Sequence, residues 1–302
     1  MKIIMRYILF ISLFVCLMSA GEKKQTVYSP PGDIPAVIAD SAARLGWLAE
    51  HYWGNFNFGD TALVHNPDYT EQAFVEFLGF LGYVPQDAAR QAMKTLMTSA
   101  SVNRTMFDYL SKTTEHYLYD PQSPYNNEEL YIPVLESIIS SGLLPDIEKT
   151  RPRHQLVMAQ KNRIGMQATD FTFTMADGKH YHMYDLKAKY TLLFFNNPDC
   201  AGCRDAKAMM SDDAFLSKIS GKLAILALYP NDDGNLDLWR KTAYPPFLIN
   251  GYDENAVIIN SELYDLRASP TIYLLDVDKR VILKTYGMDA VLKYFENDTE
   301  QK

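Results

Sequence analysis

The segment YTLLFFNNPDCAGCRDAKAMM, residues 190–210, decides the fold of the C-terminal half of this chain. Its apolar first part predicts a buried strand, and its last part predicts the beginning of a helix that runs over residues 204–219. Cys200 and Cys203 lie at the junction. Unpaired N–H groups and the positive end of a helix dipole stabilise a thiolate at such a junction. The spacing therefore predicts Cys200 as a nucleophile and Cys203, one turn further on, as the cysteine that resolves a mixed disulfide.

Two charged residues next to the cysteine pair bear on the hypothesis that Cys200 is a nucleophile. Arg204 adds positive charge beside Cys200 and Asp199 opposes its ionisation, so both residues are expected to tune the thiol.

The cysteine pair could also serve two other purposes. An inert structural disulfide is one alternative, although a bridge across so short a loop constrains the unfolded chain little. A metal half-site is another, but zinc needs two more ligands and the chain has no second cysteine pair. We therefore expect neither a metal nor a cofactor.

Strand and helix signals alternate around the motif, over residues 164–302. Hairpins are predicted over residues 170–183 and 271–283, where a turn separates two alternating runs, and a second buried strand is predicted over 223–228. Strands that alternate with helices form a sheet that is covered on both faces. The predicted fold class is therefore α/β, with a mixed central sheet and helices on both faces.

The preceding part of the chain, residues 27–158, has a different hydrophobic pattern. Its apolar residues recur at helical spacing and show no strand-like alternation, which predicts an all-α domain. Residues 145–154 are polar and contain Pro152, so we expect a linker or a helix break there.

Residues 1–21 have the three parts of a secretory signal peptide: a basic start, an apolar run and small residues at the end. This pattern predicts export to the periplasm or the cell envelope. Cys16 raises the alternative of a lipoprotein, but Val15 is too large for the position just before a lipidated cysteine. The apolar run is short for a membrane span, and no other segment is apolar enough for one.

The charge of the chain bears on whether it binds nucleic acids. The chain has 29 Lys and Arg against 37 Asp and Glu, which gives a net charge of −8. Proteins that bind nucleic acids normally carry a basic excess or a basic stripe, and this chain has neither. Nucleic acid is therefore not expected as a partner.

The segment GMQATDFTFTMADGKHYHMYDLKAKYTLLFFNNPDCAGCR, residues 165–204, resembles the opening of thioredoxin-like envelope oxidoreductases of the TlpA/ResA kind. Tyr264, the stretch Ala268-Ser269-Pro270-Thr271 and the stretch Leu274-Leu275-Asp276 resemble the pattern around that family's cis-proline. The resemblance implies that Pro270 is a cis-proline lying against the cysteines. It also implies that Ser269 and Thr271 bind the partner, with the backbone of Ser269 pairing with a substrate strand.

The N-terminal half resembles the helical domain of unknown function that precedes thioredoxin-like domains in exported proteins of Gram-negative bacteria. The matching stretches are His51-Tyr52-Trp53, Phe56-Asn57-Phe58-Gly59-Asp60, residues 119–124 and residues 127–133. This second resemblance implies an arrangement of two domains and carries no biochemical role with it.

The chain departs from the pattern of the family that it resembles at two places that matter for the chemistry. Asp199-Cys200-Ala201-Gly202-Cys203 replaces the family's Trp-Cys-Gly-Pro-Cys, so the aromatic residue before the nucleophile is missing. Phe194 stands where thioredoxin has its buried acid. The proton acceptor for Cys203 is therefore not identified, and the redox potential stays open because intervening residues and nearby charges set it.

The residues and the resemblance together favour an exported thiol-disulfide oxidoreductase, and the resemblance alone implies that it acts as a reductase. Its expected partners are protein thiols and disulfides and an upstream electron donor in the envelope. A peroxiredoxin is disfavoured because Asn197 and Leu193 stand where that chemistry needs a hydroxyl residue and a proline. The alternative is a non-enzymatic envelope binding module, in which the helical domain recognises a partner and the thioredoxin-like domain is a scaffold.

Overall fold

The computed structural model describes residues 27–219, 221–231 and 233–300. Residues 1–21, with the predicted signal peptide and Cys16, lie outside this range. The described chain begins with helices and continues into a seven-stranded sheet with helices on both faces. The predicted fold class is therefore confirmed. No helix in these three ranges is both long and apolar enough to cross a bilayer.

The N-terminal region is a helical bundle whose core is rich in aromatic side chains. Phe74, Phe77 and Phe107 are almost fully buried in it, beside Tyr52 and Trp53. Two short 3₁₀ segments, Thr61–His65 and Asp146–Lys149, join helices. The helices are α1 Ser41–His51, α2 Pro67–Leu81, α3 Gln86–Ala100, α4 Arg104–Leu118, α5 Glu128–Ser140 and α6 Thr150–Ala159.

The break expected near residues 145–154 is present, since α5 ends at Ser140, the 3₁₀ segment Asp146–Lys149 follows, and α6 begins at Thr150. Pro152 does not cause it. This stretch contains the beginning of α6, with Pro152 as its third residue. The first N–H groups of a helix have no intrahelical partner, so a proline in the first turn removes no hydrogen bond. The polar composition reflects an exposed helix face, since several residues of the stretch lie at the surface.

The C-terminal region is built on a mixed sheet of seven strands in the order β2-β1-β5-β4-β3-β6-β7. Strands β3, β4 and β5 are parallel, while β1, β6 and β7 pair antiparallel with their neighbours. Both predicted hairpins are present, as β1–β2 and β6–β7. The strands are β1 Thr172–Met175, β2 His180–His182, β3 Tyr190–Phe195, β4 Leu223–Tyr229, β5 Ile249–Tyr252, β6 Thr271–Leu275 and β7 Val281–Thr285.

The helix predicted over residues 204–219 is in fact two helices. The helices of this region are α7 Ala201–Met210, α8 Asp213–Ile219, α9 Leu236–Lys241, α10 Val257–Asn260 and α11 Met288–Glu300. Between α7 and α8 the side chain of Asp212 accepts hydrogen bonds from the N–H groups of Ala214 and Phe215, at 2.9 and 3.3 Å. An aspartate that bonds the next free N–H groups begins a new helix rather than continuing the old one.

Strand β3 contributes to two cores because its side chains alternate between the faces of the sheet. Leu192 and Phe194 pack on one face with Cys203 of α7, while Leu193 and Phe195 pack on the other. Because Cys203 packs with Leu192 and Phe194, α7 lies on that face of the sheet and one cysteine of the pair is inside the core.

Candidate functional site

The two cysteines lie at the start of α7 and differ in accessibility. Cys200 is the residue that caps the helix, and the backbone N–H of Cys203 points at its sulfur at 3.0 Å. Cys200 is partly exposed, whereas Cys203 is 0 % exposed. The pair is joined as a disulfide, with Cα atoms 5.2 Å apart. The sulfur of Cys200 is therefore accessible to a partner at the surface, whereas the sulfur of Cys203 is buried behind it.

Ser269 and Pro270 lie directly against the cysteine pair. In the antiparallel pairing of β3 with β6, Thr271 lies opposite Phe195, so the residues before β6 lie beside the loop after β3. The peptide between Ser269 and Pro270 is cis. The carbonyl oxygen of Ser269 lies 3.3 Å from the sulfur of Cys200, and its hydroxyl oxygen lies 3.2 Å from the sulfur of Cys203. One residue thus touches both sulfurs.

Gly202 allows this close approach. A Cβ atom added at Gly202 would lie 3.2 Å from Cδ of Pro270 and 3.9 Å from the carbonyl oxygen of Ser269. The first turn of α7 therefore packs its backbone, without a side chain, against the proline.

Thr271 is placed differently from its neighbour Ser269. It is fully buried, and its hydroxyl donates to the carbonyl oxygen of Ala268 at 2.5 Å. Its backbone lies in β6, which pairs with β3 on one side and with β7 on the other. The Thr271 side chain therefore supports the loop from inside.

The two charged residues beside the motif are both exposed. Nη1 of Arg204 lies 3.4 Å from the backbone carbonyl oxygen of Asp199, and the amide of Asp199 donates to the side chain of Asn197 at 3.0 Å. Neither charged group hydrogen-bonds a sulfur within the described residues. Any influence on Cys200 is therefore exerted through space.

A polar chain beneath the site was missed by the sequence analysis. Buried Asn196 donates to the carbonyl oxygens of Phe194 and Leu228 at 3.2 Å and accepts from the hydroxyl of Tyr244 at 2.9 Å. The Nζ atom of Lys207 in α7 lies 4.5 Å from the centroid of the Tyr244 ring. These contacts tie the loop before the cysteines to α7. Two features of the sequence point to these contacts: an asparagine directly after a buried strand and a lysine one turn beyond Cys203.

Burial changes the ionisation of two members of this chain. It raises the pKa of Tyr244 to about 12, so the hydroxyl keeps its proton and remains a donor. Burial and the nearby charge of Arg204 lower the pKa of Lys207. No group of three or more His, Cys, Asp or Glu that could hold a metal ion occurs in the described part of the chain.

Comparison with known proteins gives matches for both halves of the chain. Residues 18–162 match the family described as "Domain of unknown function (DUF5106)". A thioredoxin-like protein from Bacteroides caccae is 41 % identical, with a TM-score of 0.83 over 89 % of this chain and 98 % of that one. The chain belongs to the thioredoxin-like proteins. Its thioredoxin-like sheet follows a helical DUF5106 region, as the two resemblances in the sequence imply.

Two further solved structures resemble the thioredoxin-like half. The C-terminal domain of an uncharacterized protein from Bacteroides fragilis is 39 % identical over 45 % of this chain and 98 % of that one, with a TM-score of 0.42. The thioredoxin domain of a thiol-disulfide oxidoreductase from Bacteroides vulgatus is 20 % identical over 45 % and 96 %, with a TM-score of 0.36. No curated protein matches the chain.

Proposed function

We propose that this protein is an exported thiol-disulfide oxidoreductase that reduces disulfides of protein partners through Cys200 and Cys203. The observation that carries the proposal is the asymmetry of the pair. A partly exposed sulfur caps a helix and faces a backbone N–H at 3.0 Å, while the second sulfur is buried one turn behind it. This arrangement suits a nucleophile and a resolving cysteine, whereas an inert bridge needs no such difference.

The exchange balances in two steps. The Cys200 thiolate attacks one sulfur of the partner disulfide, a new S–S bond joins Cys200 to the partner, and the other partner sulfur leaves as a thiolate. The Cys203 thiolate then attacks the Cys200 sulfur and releases the first partner sulfur. Two electrons pass from the cysteine pair to the partner, and the protein is left with the Cys200–Cys203 disulfide.

Residues around the pair have distinct parts in this proposal. Ser269 is exposed at the end of the cis-proline segment, so its backbone can pair with an extended stretch of the partner. Pro270 packs on the first turn of the helix and sets the distance to the sulfurs. Thr271 holds the segment from inside. Arg204 and Asp199 tune Cys200 in opposite directions through their charge.

The setting is also part of the proposal. Residues 1–21 direct the chain out of the cytoplasm, and an electron donor in the envelope returns the oxidised pair to its dithiol form. Residues 27–158 and 164–302 are two domains, and the helical one selects the partner or docks the enzyme. The support is the sequence pattern of the first residues and the helical composition of the region before the sheet.

A redox titration of the purified protein against glutathione tests the proposal, with Cys200→Ser and Cys203→Ser as a matched pair of variants. We expect reversible titration of the wild-type pair, no exchange with a protein disulfide in Cys200→Ser, and trapped mixed disulfides in Cys203→Ser. The potential then decides whether the pair reduces or oxidises its partners.

Thiols that titrate but exchange with no protein disulfide, with no mixed disulfide trapped by Cys203→Ser, would overturn the proposal. The helical region would then become the functional half, acting as a binding module with the thioredoxin-like region as its scaffold.

A further inference from the structure

Arg267, three residues before Pro270, is held by the helical region. Its Nη2 atom donates to Oε1 of Glu128 at 2.7 Å, and its Nη1 atom donates to Oδ2 of Asp265 at 2.8 Å. Its guanidinium carbon lies 3.4 Å from the ring centroid of Tyr119. Glu128 begins α5 and Tyr119 follows α4, so both anchors belong to the helical region. A guanidinium group that stacks on an aromatic ring and donates hydrogen bonds to two carboxylates has little freedom to move.

Arg267 belongs to a buried cluster of four charged side chains, two positive and two negative. Nζ of Lys284 in β7 donates to Oε2 of Glu128 at 2.8 Å and lies 3.8 Å from Oδ2 of Asp265. The four side chains, Glu128, Asp265, Arg267 and Lys284, are between 4 % and 16 % exposed. Two positive and two negative charges compensate each other. Removing one of them leaves a buried charge without its partner, which is costly.

Acidic neighbours keep Arg267 charged. Burial lowers the pKa of its guanidinium, but Tyr286, Asp265 and Glu128 raise it by more, so the net direction is upward. The guanidinium therefore keeps its charge and remains a hydrogen-bond donor.

The segment that leads to the cis-proline is fixed at a second place. Nδ2 of Asn162, after α6, donates to the carbonyl oxygen of Leu263 at 2.8 Å, and Nε2 of His154 in α6 lies 2.8 Å from Oε1 of Glu262. The helical region and the residues that follow it thus hold residues 262–268 at both ends. Ser269 comes next in the chain.

We propose that Glu128 is a positioning residue for the cysteine pair and acts through Arg267. It fixes the segment 265–270 against the helical region, and the segment in turn places Ser269 against both sulfurs. The helical region thereby sets the reactivity of the cysteine pair through this segment. The proposal extends the oxidoreductase function proposed above and depends on it for its biological meaning.

The physical consequence concerns the protonation of the thiols. A carbonyl oxygen near Cys200 favours the protonated thiol, whereas a hydroxyl donor near Cys203 favours the thiolate. Both effects depend on distances of 3.2–3.3 Å. A shift of the segment by a fraction of an ångström therefore changes thiol reactivity, and misplacement by about 1 Å lowers a rate up to about 100-fold in enzyme sites.

The chain offers a matched control in the neighbouring residue. Glu129 lies in the same turn of α5 and is as buried as Glu128, and it bonds Arg90 at 3.0 Å and Nε of Arg163 at 2.8 Å. Its hydrogen-bonding partners in the described residues do not include the segment 262–270. Glu129→Gln therefore disrupts a comparable buried ion pair without touching the segment that carries Ser269.

The experiment compares wild type, Glu128→Gln, Glu129→Gln and Arg267→Lys. The reduced proteins are alkylated with iodoacetamide over a pH series, and the potential of each pair is measured against glutathione. We expect the alkylation rate at pH 7 to change about tenfold in Glu128→Gln and in Arg267→Lys. Glu129→Gln should keep the wild-type rate and potential even where its melting temperature falls.

Equal rates and potentials in Glu128→Gln and Glu129→Gln would overturn the proposal, because the contact would then be structural only. If Glu128→Gln does not fold, Arg267→Lys, which keeps the charge but loses the fork, decides the question by the same comparison. Alkylation needs no partner protein. A wild-type pair that ignores protein disulfides would thus refute the proposed function, while the alkylation rates would still test the positioning role.

Discussion

The hydroxyl oxygen of Ser269 lies 3.2 Å from the sulfur of Cys203. Phe194, which occupies the position of thioredoxin's buried acid, offers no polar group there. A hydroxyl can donate to a thiolate and stabilise it, although it cannot serve as a base as a carboxylate does. In the exchange proposed above, we therefore expect Ser269 to compensate in part for the missing acid when Cys203 ionises to attack the mixed disulfide.

Ser269→Ala should slow the second step of disulfide exchange and leave the first step almost unchanged. The lost hydrogen bond to a thiolate corresponds to about a tenfold lower rate. The reduced protein reacts with an aromatic disulfide reagent in two steps, Cys200 releasing the first chromophore and Cys203 the second. Stopped-flow absorbance separates the two.

Ser269→Thr, which keeps the hydroxyl, is the control for this substitution and should retain the second rate. Equal slowing of both steps in Ser269→Ala would contradict the assignment and indicate that the whole segment has moved.

Gly202→Ala should gain less stability than alanine gains at another exposed helical glycine. A Cβ at Gly202 would lie 3.2 Å from Pro270, whereas a Cβ at Gly79 in α2 has no atom within 4 Å. Gly79→Ala should therefore raise the free energy of unfolding by about 0.5–1 kcal/mol through helix propensity. Chemical denaturation measures both, and Gly202→Ala should also change the alkylation rate of Cys200.

The difference between the two alanine variants measures strain at the proline. If Gly202→Ala gains as much stability as Gly79→Ala and alkylates at the wild-type rate, the close packing of α7 on Pro270 has no energetic importance.

Gly251→Ala should destabilise the sheet. A Cβ on Gly251 in β5 would lie 2.6 Å from Cδ2 of Phe173 in β1, and both residues are buried. Overpacking of this kind costs about 1–3 kcal/mol. Urea denaturation of Gly251→Ala, Phe173→Leu and the double variant forms a cycle in which the smaller leucine should reduce the cost of the alanine. Simple additivity would refute the clash.

The ion pairs of Glu129 should make stability depend on pH in the acidic range. Burial raises the pKa of Glu129, but Arg163 and Arg90 lower it by more, so it lies below its ordinary value of 4.5. A carboxylate with a lowered pKa contributes stability above its unfolded pKa, and this contribution is lost as the pH falls through the folded pKa.

Glu129→Gln should therefore be less stable than wild type by about 2 kcal/mol at pH 7, and the difference should shrink as the pH falls below 4.5. Thermal or urea denaturation between pH 7 and pH 3 measures it. A difference that stays constant over this range would show that the ionised form is not favoured in the folded protein.

Local features of this fold could be predicted from the sequence because nearby residues produce them. The strand before the cysteines, the two hairpins and the helix that begins at the motif follow from patterns within about ten residues. The sequence did not show the break at Asp212, or that Pro152 lies in the first turn of α6 rather than at the break before it, and the reason is local as well. A cap that starts a new helix resembles a surface aspartate, and a first-turn proline resembles a helix breaker.

The sequence by itself determined that Cys200 caps a helix and that Cys203 follows one turn later, because three residues of chain decide that geometry. Only the tertiary structure decided that Ser269 meets Cys203, 66 residues away in the chain, and that Glu128 meets Arg267, 139 residues away. Strand register sets the first contact, and packing of the helical region on the sheet sets the second. Such contacts depend on the whole buried core, and a local pattern does not encode them.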